Sequence, residues 1–256
     1  LNVADTAHDS VTQIQGDVVD VLEREGERIV EEASERAAER GVSTVTTVLQ
    51  GGTDETIVDY ADARDIDLVV MPTHGRRGLK RLLLGSVTER VVRQATVPVL
   101  TIRPDDGDVR YPYRNVLVPT DGSDCAREAL DVGVDVTAAG GATLHLLSVV
   151  DVTSLGVDVR AGVQVEQLEE SAKEIVADAG GVARDGGVDD VSATVEHGTS
   201  IPRAILDYVD DHDVDLLVVG THGRTGFDRY LLGSVTERVV RLCDRPVLTL
   251  DGVDES

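Results

Sequence analysis

The sequence predicts an α/β protein made of two tandem domains, each a doubly wound parallel sheet, with the first domain incomplete. Residues 68–93 and 216–241 are near copies at a constant offset of 148 with no gap, which indicates a duplication. Short apolar runs alternate with segments of helical periodicity through both copies. This alternation is typical of a parallel sheet with right-handed crossovers and helices on both faces.

The second half contains a complete β-α-β-α-β-α-β-α-β order. Its strands are predicted at residues 115–119, 142–150, 191–196, 216–219 and 247–250, and its helices at 126–139, 164–183, 201–211 and 234–242. Sheets of this kind bind ligands beyond the carboxyl ends of their strands, where the winding reverses. Asp121, Val150 and the loop after Gly220 follow strand ends, so we expect them to converge there.

The first half follows the same order but lacks its beginning. Strands are predicted at residues 43–49, 68–71 and 97–102, and helices at 9–40, 53–64 and 86–95. Residues 1–5 resemble 147–151, the end of a strand, and nothing in this sequence corresponds to most of 115–139. We therefore expect a first domain at 1–103 without its first strand and helix, a linker at 104–113, and a complete domain at 114–256.

Composition excludes several classes of function. The chain has 48 acidic and 24 basic residues and a net charge of −24, which argues against nonspecific binding to nucleic acid or to anionic membranes. Excess Asp, two lysines and 2% aromatic residues resemble the acidic proteins of halophilic organisms. Two cysteines form no disulfide framework, and no apolar run approaches the ~20 residues of a membrane span. We expect a cytoplasmic protein.

Three glycines frame a loop between a predicted strand and a predicted helix. They are Gly220, Gly223 and Gly233. Ser234 and Glu237 have the spacing of a capping box, which predicts that Ser234 caps the helix and Glu237 reaches back. A helix start offers free N–H groups and a positive dipole end, and glycine lets backbone approach a ligand closely. The loop therefore predicts a site for an anion such as phosphate.

The loop has the spacing Gly220-x2-Gly223-x9-Gly233-Ser234 and lies within this order of strands and helices. In both respects the sequence resembles the nucleotide-binding type of universal stress protein, here as a tandem pair. The resemblance implies a Rossmann-like sheet of order 3-2-1-4-5 that binds ATP, with Mg²⁺ carried by the nucleotide. It implies that Asp121 contacts the sugar side and the backbone at Val150 the adenine. The phosphate ligands implied are Gly223, Arg224, Gly233, Ser234, Val235 and Thr236, and the other cofactor-binding candidates are Pro119, Thr120, Gly220 and His222.

The same resemblance bears on assembly. In the family the last strands pair across subunits, so we expect residues 97–102 and 247–250 to pair between the two halves as an intramolecular pseudo-dimer. An open sheet edge favours such pairing. The sequence does not decide whether two whole chains also form a homodimer.

The first copy departs from the motif. Pro72 replaces the first glycine, while Gly75, Gly85 and Ser86 remain. Proline lacks an N–H, and no strand supplies a counterpart of Asp121, so we expect a weak or dead first site. Without its first strand, a 3-2-1-4-5 sheet would also lose its central member, so that another strand must fill the gap or the half-domain must unravel.

These observations favour an ATP-binding regulatory protein whose contacts with other proteins under stress depend on the nucleotide. No catalytic residue or metal ligand is assigned, because His74 and His222 lack an accompanying nucleophile and Asp121 alone is a poor metal site. Turnover is expected to be slow at most. Two alternatives stay open: a nucleotide-independent scaffold and, less favoured, an adenine-nucleotide hydrolase, which would need a different turn at residues 119–124.

Overall fold

The computed structural model describes residues 1–5, 17–74, 84–103, 109–152, 161–223 and 232–251, with the backbone alone at 17–20 and 161–164. The strands are β1 (Asn2–Asp5), β2 (Val48–Gly51), β3 (Val69–Pro72), β4 (Val99–Ile102), β5 (Asn115–Pro119), β6 (Thr143–Asp151), β7 (Asp190–Gly198), β8 (Leu216–Gly220) and β9 (Val247–Leu250). The helices are α1 (Asp17–Ala38), α2 (Thr53–Ala63), α3 (Ser86–Gln94), α4 (Asp124–Gly140), α5 (Ala161–Asp185), α6 (Ile201–Asp211) and α7 (Ser234–Leu242). None of these helices combines the length and the apolar character that a bilayer span requires.

Packing divides the chain into two compact units, Leu1–Asp67 and Leu68–Ser256. The first unit contains a two-stranded parallel sheet, β1-β2, and the second a seven-stranded sheet in the order β3-β4-β9-β8-β5-β6-β7. Thus β3 and β4, which belong to the first sequence repeat, join the sheet of the second repeat. The boundaries at 103 and 114 stay a prediction about the repeats, whereas packing divides the chain after Asp67.

The second repeat has the sheet order implied by the resemblance. Its strands lie in the order β9-β8-β5-β6-β7, with its first strand, β5, in the middle. All neighbours within this group are parallel. Numbered within the repeat, this is the order 3-2-1-4-5, so the expected fold class is confirmed.

Both faces of this sheet are covered, as a doubly wound fold requires. Val118 and Leu146 belong to a core formed with α4 and α5. The alternate residues Leu117 and Leu147 belong to a second core with α6 and α7, which includes the buried Tyr208. Each fully buried leucine or valine contributes roughly 1.5–3 kcal/mol, so the two cores fix the position of every strand end in the repeat.

The seven-stranded sheet passes from the first repeat to the second at an antiparallel strand pair, β4 with β9, which we call the seam. Its partners are Val99 with Thr249, Leu100 with Leu248, and Thr101 with Val247. Residues 99–101 and 247–249 are repeat counterparts, so the seam has a local twofold axis through the Leu100–Leu248 pair. The expected pairing of the last strands is confirmed.

The first repeat has no counterpart of β5 among the described residues. Its four strands accordingly lie in separate sheets, with β1-β2 in one and β3-β4 at the end of the other. Among the described residues no other strand takes the place of the missing one, so the first of the two outcomes that the sequence left open is not observed, and β3 ends its sheet.

Two element boundaries differ from expectation. The strand predicted at 43–49 lies instead at Val48–Gly51, where it pairs in parallel with Asn2–Asp5. The helix predicted at 9–40 is described from Asp17 to Ala38, and residues 9–16 lie outside the described part of the chain.

Candidate functional site

The site begins where β8 ends against the start of α4. Gly220 is the last residue of β8, and a Cβ placed on it would lie 2.8 Å from both the Cβ and the carbonyl oxygen of Cys125. Glycine is therefore required for strand and helix to approach so closely. Pro72 occupies the equivalent position in the first repeat, where no described counterpart of α4 meets it.

Short hydrogen bonds tie the end of β8 to the start of α7. The N–H of Gly233 donates to the carbonyl oxygen of Thr221 at 2.8 Å. Thr236 Oγ1 donates to the carbonyl oxygen of Gly220 at 2.7 Å. A Cβ on Gly233 would lie 2.9 Å from the Thr221 carbonyl oxygen, so these contacts leave no room for a side chain there.

α7 begins at Ser234, and its N-cap is Gly233, with φ −59° and ψ 140°. The prediction that Ser234 caps this helix is wrong. The N–H of Glu237 donates to the Gly233 carbonyl oxygen, so the first helical bond closes one residue earlier than the capping-box pattern suggests. The N–H groups of Ser234, Val235 and Thr236 precede that bond and lie at the positive end of the helix dipole, where an anion is stabilised.

Asp121 lies beside this loop. It follows β5, and its Oδ1 accepts a hydrogen bond from the N–H of Ser123 at 3.0 Å. A Cβ on Gly223 would lie 3.0 Å from Asp121 Oδ2, which shows how near the carboxylate is to the second glycine of the motif. The turn after β5 and the loop after β8 thus converge, as parallel strand ends do at a topological switch point.

A cavity of about 390 Å³ opens between these elements. Ten of the twelve cofactor-binding candidates line it: Pro119, Thr120, Asp121, Gly220, His222, Gly223, Gly233, Ser234, Val235 and Thr236. The volume falls within the ~300–1,000 Å³ of ordinary small-molecule sites.

Of the two other candidates, Val150 is described by the structure and does not line the cavity. Val150 is buried, and its side chain alternates with those of Leu147 and Val149, which do line it. The backbone role implied for Val150 stays a prediction. Arg224 lies outside the described residues.

The cavity also has an apolar wall that the sequence analysis did not identify. Leu147 and Val149 of β6, Val219 of β8, and Ile201 and Ile205 of α6 form it. The apolar character of these residues is visible in the sequence, in the alternating pattern of β6 and the amphipathic pattern of α6. However, neither pattern states which helix covers the end of which strand.

His222 takes part in a hydrogen-bonded chain beside the cavity. Thr221 Oγ1 donates to Asp251 Oδ1 at 2.9 Å and lies 3.0 Å from His222 Nδ1. Because the threonine proton points to the carboxylate, the hydroxyl oxygen accepts from His222 Nδ1–H. His222 Nε2 is buried and has no hydrogen-bond partner among the described residues.

The first repeat keeps much of this framework. The N–H of Gly85 donates to the Thr73 carbonyl oxygen at 2.8 Å, and Thr88 Oγ1 donates to the Pro72 carbonyl oxygen at 2.9 Å. His74 Nδ1 lies 3.1 Å from Thr73 Oγ1, as in the second repeat. No described residue of the first repeat, however, takes the place of Asp121.

The reactive groups near the site are few. In the described ranges, no three His, Cys, Asp or Glu residues are grouped so that they could hold a metal ion. Burial raises the pKa of the Cys243 thiol to about 11, so this cysteine is a protonated packing residue near neutral pH. Asp121 is the carboxylate among the described cavity residues.

Comparison with known proteins agrees with this architecture. A universal stress protein of Mycobacterium tuberculosis is 33% identical over 236 residues, covering 88% of this chain and 77% of the relative. One of Methanocaldococcus jannaschii is 40% identical over 86 residues, but the match spans only 51% of that relative and 34% of this chain. The crystal structure of a universal stress protein from Archaeoglobus fulgidus has the same fold, with a TM-score of 0.72 over 98% of this chain and 86% of that chain, at 22% identity.

The universal stress protein family matches this sequence twice, at residues 1–103 and 112–250. The two matches correspond to the two copies of the glycine-loop motif, and the second contains the cavity and its lining residues. This chain therefore belongs to the universal stress protein family, of which it carries two copies in tandem.

Proposed function

We propose that the second repeat binds ATP, with Mg²⁺ carried by its phosphates, and that the nucleotide regulates contacts with other proteins in a cytoplasmic stress response. The observation that carries the proposal is the cavity itself. An apolar wall, a carboxylate and a helix start meet around one space at the carboxyl ends of β5, β6 and β8. This is the combination that an adenine, a ribose and a phosphate chain need.

The lining residues fit the parts of the nucleotide. Leu147 and Val149 offer an apolar surface to the adenine ring, with the backbone near Val150 as its polar contact. Asp121, held by the turn to Ser123, accepts hydrogen bonds from the ribose hydroxyls. The tight packing around Gly220 and Gly233 brings the start of α7 to the cavity, where its N–H groups would bind phosphate. Arg224, outside the described residues, stays a proposed phosphate ligand.

We propose binding rather than rapid turnover. Asp121 Oδ1 already accepts the Ser123 N–H, and His222 Nδ1 is engaged by Thr221. The basic nitrogen of the His222 ring is then Nε2, which is buried, so neither group is placed as a general base for a water beside the phosphates. Phosphate release from ATP is expected to be slow on the scale of ordinary ATPases.

Calorimetric titration of ATP–Mg²⁺ in molar potassium chloride tests the proposal, because salt screens the self-repulsion of a chain with net charge −24. We expect one site per chain. Gly233→Val should abolish binding, since its side chain would meet the Thr221 carbonyl oxygen 2.9 Å from the Cβ. The matched control is Gly85→Val, whose Cβ would lie 3.3 Å from the Thr73 carbonyl oxygen and which should leave binding intact.

The outcomes separate the alternatives. Absence of binding by a protein that circular dichroism shows to be folded would favour the nucleotide-independent scaffold. Two sites per chain, or loss of binding in Gly85→Val alone, would contradict the assignment to the second repeat. Rapid phosphate release would favour the hydrolase instead.

A further inference from the structure

The residues that directly follow the two seam strands are repeat counterparts of opposite charge, Arg103 after β4 and Asp251 after β9. Because β4 and β9 are antiparallel, these residues lie at opposite ends of the seam. An arginine side chain is only a hydrogen-bond donor, whereas an ionised aspartate is only an acceptor. The seam therefore has a donor at one end and an acceptor at the other.

Each of these side chains holds one end of α7. Arg103 Nη2 donates to the carbonyl oxygen of Arg241, in the last turn of the helix, at 2.8 Å. Asp251 Oδ1 accepts from Thr221 Oγ1 at 2.9 Å, and the Thr221 carbonyl oxygen accepts from the N–H of Gly233, the N-cap of α7, at 2.8 Å. The first repeat thus anchors the C-terminal end of α7, and the second repeat anchors its N-terminal end.

α7 is short enough for an anchor at one end to affect the other. It has nine residues, a length of about 13 Å, and helices this short are marginally stable unless they are packed. Arg241 Nη1 lies 3.4 Å from Glu237 Oε1, and the N–H of Glu237 closes the first helical bond, to Gly233. A displacement of the last turn therefore reaches the N–H groups of residues 234–236.

The first repeat does not receive the same anchor in return. By the local twofold axis of the seam, residue 251 is related to Arg93 in α3 as Arg103 is related to Arg241 in α7. The Asp251 carboxylate cannot donate a hydrogen bond to a helix carbonyl oxygen, so it cannot anchor α3 in this way. The anchor therefore acts on the helix at the complete cavity and not on its counterpart.

We propose that Arg103 of the first repeat is a positioning residue for the phosphate site of the second repeat. By holding the last turn of α7, it keeps the N–H groups at the start of this helix at the cavity. The proposal rests on the proposed binding of ATP in the second repeat. The apolar wall assigned to adenine lies on β6, β8 and α6, so loss of the anchor weakens the binding of phosphate and leaves the binding of adenosine unchanged.

Calorimetric titration of the full chain with ATP–Mg²⁺, and separately with adenosine, tests this in molar potassium chloride. Arg103→Met removes the donor and keeps an apolar stem. We expect its ATP affinity to fall by about three- to tenfold, the effect of one lost hydrogen bond, with no change for adenosine. Arg103→Lys keeps a donor on a shorter side chain and should show the same selective loss at smaller size. It replaces Arg103→Met if that variant does not fold.

Two controls separate the anchor from its surroundings. Thr101→Val removes a hydrogen bond of the seam two residues earlier on the same strand, without a change at α7. Arg245→Met removes a cation that follows α7 and lies 3.7 Å from Asp244 Oδ1. Neither control should change the affinity for ATP or for adenosine.

The outcomes distinguish this inference from the function on which it rests. An unchanged ATP affinity in Arg103→Met, an equal loss for ATP and adenosine, or an equal loss of ATP affinity in either control would overturn the positioning role and leave ATP binding by the unaltered chain intact. An unaltered chain that binds neither ligand would contradict the proposed function, and this inference with it.

Discussion

Thr101 and Thr249 make the same hydrogen bond in opposite directions across the seam. Thr101 Oγ1 donates to the carbonyl oxygen of Val247 at 3.1 Å, and Thr249 Oγ1 donates to that of Val99 at 3.2 Å. Both threonines are almost fully buried, and they are repeat counterparts. A contact with the twofold symmetry of an interface between identical subunits is therefore made here within one chain.

Thr101→Val and Thr249→Val should therefore destabilise the protein by similar amounts, about 0.5–1.5 kcal/mol each, through loss of one buried hydrogen bond at constant shape. Urea unfolding in molar potassium chloride measures the free energy of unfolding of both variants. A large effect of one variant with none from the other would contradict the local twofold symmetry of the seam.

Substitution of Asp215 should lower the free energy of unfolding more than substitution at most other positions outside the site. It is buried, and its carboxylate accepts bonds from Arg110 Nη1 at 2.9 Å and from the N–H groups of Arg114 and Asn115 at 2.8 and 3.1 Å. Asp215→Asn places an amide N–H₂ against donors and should cost about 2–3 kcal/mol of unfolding free energy. Its counterpart Asp67 is exposed, so Asp67→Asn is the matched control and should have little effect.

Gly220→Ala should separate β8 from α4. The added Cβ would lie 2.8 Å from the backbone of Cys125, and the strain should cost about 1–3 kcal/mol and weaken ATP binding. Pro72→Ala, at the exposed counterpart, should change stability by no more than about 0.5 kcal/mol. Equal tolerance of both changes would show that the close approach at Gly220 is not required.

His145 should make stability depend on pH. Burial, and secondarily the nearby His212, lower the pKa of its imidazole, with Asp190 acting weakly in the opposite direction. Nδ1 lies 3.1 Å from the Tyr208 hydroxyl, and Nε2 lies 3.5 Å from Asn115 Oδ1. Nε2 therefore carries the proton, and Nδ1 accepts from tyrosine.

The direction of this pH dependence follows from the linkage between proton binding and folding. Below about pH 6.5 the unfolded chain binds a proton at His145 that the folded chain resists, so stability falls as pH falls through that value. His145→Gln should remove this contribution, which changes by at most about 1.4 kcal/mol per pH unit. Unfolding of both proteins between pH 5 and 8 measures the difference, and parallel curves would contradict the prediction.

Local patterns were sufficient for much of this architecture. The continuous apolar run at 216–219 predicted β8, because a strand buried on both faces is apolar at every position. The segment after Gly233 predicted α7, because a helix buried on one face has apolar residues at helical spacing. The repeat then transferred these assignments to β3 and α3. The resemblance added the sheet order, and with it the seam.

Other features depend on partners distant in sequence. β2 lies at Val48–Gly51 and not at the β-rich run 43–49, because its position is set by its register with Asn2–Asp5. Gly233 rather than Ser234 caps α7 because Thr221 and Gly220 bind the loop and the helix start. The apolar wall of Ile201 and Ile205, and the buried role of Asp215, likewise arise from contacts that no local pattern encodes.

The seam also affects how the protein responds to dilution. In a dimer of separate chains, an edge-to-edge strand pair opens when the concentration falls below its dissociation constant. Here β4 and β9 are tethered, so each meets the other at an effective concentration set by the intervening polypeptide and not by the amount of protein in the cell. The second repeat therefore keeps the edge of β9 closed even when the protein is scarce.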